Sequence, residues 1–208
     1  EGRKQNLTYF AGNYMVSDSL VVFEDTRDNA IRVYYRGDIY DLYYSVSRPV
    51  FPQAIGSNTV AFRANGDVNY AFIAGEIIEL GVFQSNLKFG AGADLVVFND
   101  DFNQSFAVAF KHEVLDVEPT MVQSYKAGYG IFVYLDRNNN LKGYIGGKII
   151  TLSTYASFYE VFRDIVVWGE NGTFYAYSEG HTYELANYIP EEYIIRDGVV
   201  AFRNLNGG

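Results

Sequence analysis

The chain has 208 residues, a net charge of −9 from 16 Lys+Arg against 25 Asp+Glu, and no Cys. Without Cys there is no disulfide framework, thiolate metal site or cysteine nucleophile, and an acid surplus argues against a broad nucleic-acid footprint, which needs clustered positive charge. A hydrophobic share of 49% supplies a core, but the longest apolar runs, about five residues, fall far short of the roughly 20 that a membrane helix needs. No nucleic-acid partner and no membrane insertion are therefore expected.

In chain order the sequence alternates short β-rich runs with turn residues, and no helical period lasts beyond a turn or two. Residues 6–12 (NLTYFAG) read as a strand, and 14–23 (YMVSDSLVVF) as two strands across a turn. Asp28-Asn29 marks the next turn, and Asn65-Gly66 is a strong hairpin signal. NYAFIA (69–74) then turns tightly at Gly75 into EIIELGV (76–82). FGA (89–91), DLVVFN (94–99), FAVAFK (106–111) and EVLDVE (113–118) make a set of four strands. Further turns fall at Asn138-Asn139-Asn140 and Asn171-Gly172, where residues tolerate positive φ or form side-chain turns. YIIRD (193–197) and VVAFRN (199–204) close the chain. Pro49, Pro52, Pro119 and Pro190 lie between strands, as expected for a residue that cannot donate to a ladder.

A ten-residue motif recurs six times, at 14–23, 53–62, 89–98, 125–134, 159–168 and 193–202. It opens on an aromatic residue in all copies except 53–62, turns at its centre, and ends on Phe23, Phe62, Phe98, Tyr134, Trp168 or Phe202. Those closing aromatics are 39, 36, 36, 34 and 34 residues apart. An aromatic–x–x–Gly step follows the motif at Tyr34/Gly37, Phe72/Gly75, Tyr144/Gly147 and Tyr177/Gly180, with Ala109 and His112 in those places in the third repeat. The step also appears at Tyr9/Gly12, ahead of the first motif.

Four short antiparallel strands repeated radially are the grammar of a β-propeller. The chain resembles a six-bladed tandem-repeat β-propeller, similar in style to the TolB-like propellers and to repeat proteins of bacterial envelopes and secretions. The resemblance implies an all-β single domain over 1–208. Residues 1–13 would complete the last blade with 193–208, closing the circle and removing two sheet edges. It carries no catalytic signature, since fold alone does not set function. An open solenoid of the same hairpins is the rival architecture.

Candidate sites follow from position. The turn between first and second strands carries Asp18, Asn58, Asp94, Asp164 and Asp197, which would surround one mouth of a central channel. Converging acids there could hold a cation or a basic segment, although Asp and Asn also simply initiate turns, and Arg163 and Arg196 oppose a cation. Surplus aromatics fall in the connections: Tyr44, Phe51, Phe83, Phe102, Tyr155 and Tyr188, with Tyr43 and Phe158 beside them. Exposed Tyr and Phe on rigid loops suit a protein or carbohydrate partner, and they also suit staples that anchor each connection. His112 and His181 read as exposed turn residues rather than a joint site. Asp136-Arg137-Asn138-Asn139-Asn140 opens like a calcium loop but has Leu141 where Gly belongs. No metal and no cofactor are expected. Asp41, Glu79, Asp116 and Glu184 recur on the fourth strands and read as edge protection.

The expectation is a non-catalytic binding or scaffold propeller, exported or in the cell envelope. Two alternatives stand beside it: a hydrolase or lyase using the mouth carboxylates, and a structural subunit of a surface assembly.

Overall fold

The computed structural model describes residues 4–47, 49–64, 67–82 and 88–204. The Asn65-Gly66 turn and Phe83 lie outside them. Among the described residues all regular structure is β, in strands short enough that each repeat supplies one sheet. The chain forms two compact units, Glu1–Pro119 and Thr120–Gly208.

The first unit holds three four-stranded antiparallel sheets, each wound in chain order. Blade A is β1 (Ala11–Val16), β2 (Leu20–Asp25), β3 (Ala30–Tyr35) and β4 (Asp38–Tyr44). Blade B is β5 (Ala54–Ile55), β6 (Thr59–Arg63), β7 (Val68–Ile73) and β8 (Glu76–Val82). Blade C is β9 (Phe89–Ala91), β10 (Leu95–Asp100), β11 (Ser105–Phe110) and β12 (Glu113–Glu118). The second unit holds blade D, from β13 (Ser124–Ala127), β14 (Phe132–Leu135), β15 (Leu141–Ile145) and β16 (Lys148–Ser153). Blade E follows with β17 (Ala156–Phe162), β18 (Ile165–Glu170), β19 (Thr173–Ser178) and β20 (His181–Ala186). The unit ends in a two-stranded hairpin, β21 (Tyr193–Arg196) with β22 (Val199–Phe202). These repeated sheets are the blades that the ten-residue motif predicts, the motif supplying the first and second strands each time.

The middle strands carry the core. Leu95–Phe98 and Phe106–Ala109 are buried at every residue, so blade C is covered on both faces. Side chains alternate between faces, and within each unit facing sides of neighbouring blades pack together. Leu20, Val22 and Val33 of blade A pack with Val60, Phe62 and Phe72 of blade B. Ile131 and Val133 of blade D pack with Tyr159, Val166 and Trp168 of blade E. Trp168 also stacks on Tyr175 with 5.5 Å between ring centroids. Fourth strands are the more exposed, wholly so at the start of β12, although Leu42 and Tyr43 of β4 and Leu80 of β8 are buried. Every third–fourth pair shifts register at one place, opposite Asp41, Glu79, Asp116, Thr151 and Glu184. The recurring acid thus marks a bulge, where twist increases and the edge is blunted.

One expectation is corrected. The third strand read over 6–12 is not formed: residues 4–10 lie in no strand, and Ala11 and Gly12 open β1. Local bonds explain this. The Phe10 carbonyl accepts from both the N–H and the hydroxyl of Thr26, at 2.9 Å each, and the Thr8 hydroxyl donates to Asp25 at 2.9 Å. These bonds tie the segment to the β2–β3 turn of blade A. Among the described residues β22 pairs only with β21, and no closed sheet is present.

Blade-to-blade approach is tightest at the first–second turns. A Cβ on Gly128 would overlap the carbonyl of Arg163, and one on Gly56 the carbonyl of Gly92. Gly128→Ala is therefore expected to push blades D and E apart and to cost about 1–3 kcal/mol, the range of overpacked sites. Urea unfolding at constant m-value measures it, and an unchanged midpoint would show that the turn yields freely.

Candidate functional site

The ends of the blades differ in chemistry. In each four-stranded blade the first–second and third–fourth turns share one end, and the second–third turns share the other with the outgoing connection. The first–second turns are bonded from blade to blade. The Ser19 N–H donates to the Ser57 carbonyl at 3.2 Å, and the Ser17 hydroxyl to the same oxygen at 2.8 Å. Asn58 Nδ2 donates to Asp94 Oδ1 at 2.5 Å, while the Asp94 N–H returns a bond to Asn58 Oδ1 at 2.8 Å. The Tyr129 N–H donates to the Arg163 carbonyl at 2.7 Å. The Arg163 guanidinium lies 5.4 Å from the Tyr129 ring centre and donates to Asp197 Oδ1 at 2.6 Å.

Of the five predicted mouth residues, Asn58, Asp94 and Asp197 therefore join neighbouring repeats. Asp18 and Asp164 are exposed. Sequence reasoning counts Arg163 only as a charge opposing a cation; the fold makes it a three-way clamp. The signal was present in the repeat, because Arg163 and Asp197 occupy one motif position in consecutive copies, as Asn58 and Asp94 do. Among the described residues no three His, Cys, Asp or Glu side chains are grouped to hold a metal ion.

At the opposite end, acids lock individual turns. Asp100 Oδ1 accepts from the backbone N–H groups of Phe102 and Asn103, at 2.9 Å each, and Oδ2 from Asn103 Nδ2 at 2.8 Å. Asp136 does the same with Asn138 and Asn140, and Lys142 Nζ lies 3.1 Å from it. The calcium-like opening is thus a hairpin closed on its own aspartate. In blade A, Arg32 reaches Asp25, Asp28 and Asp41 at 2.6, 2.8 and 2.6 Å. Partial burial opposes the charge of Asp41, but hydrogen bonds from Tyr44 and Arg32 and the arginine's charge outweigh it, holding this carboxyl below its ordinary value. The hydrogen bond to Asp41 is the main reason the Tyr44 hydroxyl is raised.

The predicted aromatics divide. Phe102 and Tyr155 project, 82% and 65% exposed, and Tyr44 is 50% exposed. Phe51 packs onto the blade A–B core. Tyr188 is half-buried, with its hydroxyl 3.4 Å from the Arg203 carbonyl and its ring edge-on to Phe202. Tyr43 is a staple: its hydroxyl donates to the Val50 carbonyl, its ring stacks on Phe62, and burial pushes it up to about 12. Phe158 stacks on Phe174 and Tyr193. His112 and His181 are exposed at third–fourth turns; His112 pairs with Glu76 of the adjacent blade, and His181 Nδ1 lies 3.0 Å from the Glu179 carbonyl.

A family model described as the 10-bladed beta propeller domain matches residues 1–208. No curated protein matches the sequence. Among solved structures, the chain is similar to the CRINKLY WD40 ectodomain of the Arabidopsis thaliana receptor kinase ACR4. That match has 11% identity over 88% of this chain and 69% of that one, with a TM-score of 0.51. It is also similar to yeast RCC1 (Prp20) bound to Kap60, with 10% identity over 80% of this chain and a TM-score of 0.49. A second Prp20p structure, from Saccharomyces cerevisiae, matches at 9% identity over 80% of this chain, with a TM-score of 0.49. The chain spans 55% and 56% of the length of these two.

The aspartate locks predict a pH dependence. Burial opposes ionisation of Asp136, but bonds from Asn140, Lys142 and Asn138 prevail and lower its carboxyl. A carboxyl lowered on folding stabilises the fold above about pH 4, and that stabilisation is lost as pH falls through the depressed folded value. Asp136→Asn is expected to lose stability less steeply than the parent on acidification below about pH 4, as read by denaturant midpoints. Identical slopes would remove Asp136 from the acid response.

Proposed function

The chain belongs to the 10-bladed beta propeller domain family, and from that membership and the loop chemistry we propose that it is a non-catalytic module that binds a protein partner through its second–third turn end. The observation that carries this reading is the exposure of Phe102 on a turn that is itself rigid. Three bonds to Asp100 fix residues 102 and 103, yet the ring is 82% exposed. A pre-positioned aromatic loses little freedom on binding and buries much apolar area, which is the profile of an interface anchor. In the second unit Tyr155, on the connection between blades D and E, is exposed as well, its N–H donating to the Ser153 hydroxyl at 3.1 Å. Tyr44 adds a ring beside the Arg32 cluster. The bonds of Asp94 and Asp197 to other repeats support a scaffold role for the opposite end.

A photo-crosslinking amino acid placed at Phe102, Tyr155 or Tyr44 tests this in an extract of the source cells. Protein adducts are expected from these positions and not from Glu113 on the outer strand. The Tyr44→Ala/Phe102→Ala variant should weaken binding of a protein captured through the first unit at least about tenfold, with the fold intact by circular dichroism. Undiminished binding, or retention on a glycan array with no protein adduct, would sink the reading.

A further inference from the structure

Asn171 and Gly172 form the whole turn between β18 and β19. Glu170 and Thr173 pair across it, so the loop has two residues. Both lie at positive φ, 51° and 80°, as a type I′ hairpin requires, and both are exposed. Among the described residues Asn171 is the one asparagine followed by glycine. The other turn asparagines are held by carboxylates. Asn103 Nδ2 donates to Asp100 Oδ2 at 2.8 Å, Asn140 Nδ2 to Asp136 Oδ2 at 2.9 Å, and Asn58 Nδ2 to Asp94 Oδ1 at 2.5 Å.

An asparagine carboxamide is open to attack by the backbone nitrogen of the next residue, and this makes Asn a thermolabile residue. The attack needs a carboxamide free to turn, an unhindered nitrogen and water. All three meet at this hairpin. Among the described residues no hydrogen bond or ion pair engages the Asn171 side chain. Gly172 carries no side chain, and nothing lies within 4 Å of the place where its Cβ would stand. Asn103, Asn140 and Asn58 are followed instead by Gln104, Leu141 and Thr59, whose side chains crowd the nitrogen.

We propose that Asn171-Gly172 is a site of self-modification that takes water as its co-reactant. The Gly172 backbone nitrogen gives its proton to water or hydroxide and attacks Cγ of Asn171. The N–Cγ bond forms, the Cγ–Nδ2 bond breaks, and Nδ2 takes up a proton from water and leaves as ammonia. Water then opens the five-membered imide. Opening at the side-chain carbonyl gives aspartate, and opening at the main-chain carbonyl gives isoaspartate, with the chain running through Cβ. The net change is one water consumed and one ammonia released, without oxidation. Isoaspartate lengthens a two-residue loop by one backbone carbon, and loop length sets hairpin register. That register places Trp168 opposite Tyr175, where the two rings stack in the core of blades D and E. Either product adds a negative charge to a chain already at −9. This inference goes beyond the partner-binding reading and uses none of its residues.

The test holds the 208-residue chain in mildly alkaline buffer at body temperature over weeks, then digests it and maps the peptides by mass spectrometry. The peptide carrying Asn171 is expected to gain the mass difference between a hydroxyl and an amino group. It should separate into two products, of which the isoaspartate accepts a methyl group from an isoaspartate-specific methyltransferase. The rate at Asn171 should exceed those at Asn103 and Asn140 at least about tenfold, because their amides must first leave a charged partner. In guanidinium chloride the Asn103 and Asn140 rates should rise and the Asn171 rate should not. An Asn171 that keeps its amide, or loses it no faster than Asn103 does, overturns the proposal. So does an Asn171 rate that climbs on unfolding, which would mean that the hairpin shields it.

Discussion

A four-stranded sheet whose middle strands are apolar on both sides cannot stand alone in water, and that constraint organises this protein. In blade C the stretches 95–98 and 106–109 have no solvent-facing side. Alternation of side chains then requires an apolar cover on each face. Alternate residues of the apolar run serve opposite faces, Val166 with Trp168 on one and Ile165 with Val167 on the other, so one short motif supplies the cover for two neighbours. The outer strands, with water on one flank, carry charge and a bulge instead. Packing in a repeat of this kind is a nearest-neighbour property.

Side-chain cover fixes how far apart blades lie, but it does not by itself fix their order along the strand direction. The first–second turns do that. Glycine at 56 and 128 lets one backbone approach the next, and Asn58–Asp94 and Arg163–Asp197 then set the register between repeats. These groups are a joint between blades before they are anything else. The acid surplus divides between this joint and turns that close on their own carboxylates, of which Asp100 and Asp136 are the clearest. A negative net charge here reflects many local hydrogen-bond acceptors rather than one converging field.

In the proposed function, this division leaves the other end for recognition. Among the described residues, the turns of Asp100 and Asp136 there are each closed on their own carboxylate. Their sequences can vary without disturbing the packing, which is the usual basis for placing binding on loops of a rigid frame. Phe102 and Tyr155 are exposed where the repeat does not call for an aromatic, whereas Tyr43, Phe51 and Phe158 are drawn into the core by the connection they anchor.

The repeat was legible from residues alone because its cause is local: a period of about 35 residues, turn chemistry at its centre and an aromatic at its end encode strands and their antiparallel order. The recurring acid of the fourth strand was visible too, as edge protection, but the bulge beside it appeared only in the pairing register. Which aromatics project and which pack depends on what lies above them, so Phe51 and Phe102 look alike in the sequence and part company only in the fold. The roles of Asn58, Asp94, Arg163 and Asp197 required two repeats side by side, since each bond spans about 35 positions. The N-terminal segment shows the limit most clearly. Tyr9 and Gly12 spell the third-strand step, yet bonds from Thr8 to Asp25 and from Thr26 to the Phe10 carbonyl hold the segment against blade A. Local pattern set what each segment could become, and the neighbours that it met in three dimensions decided what it did.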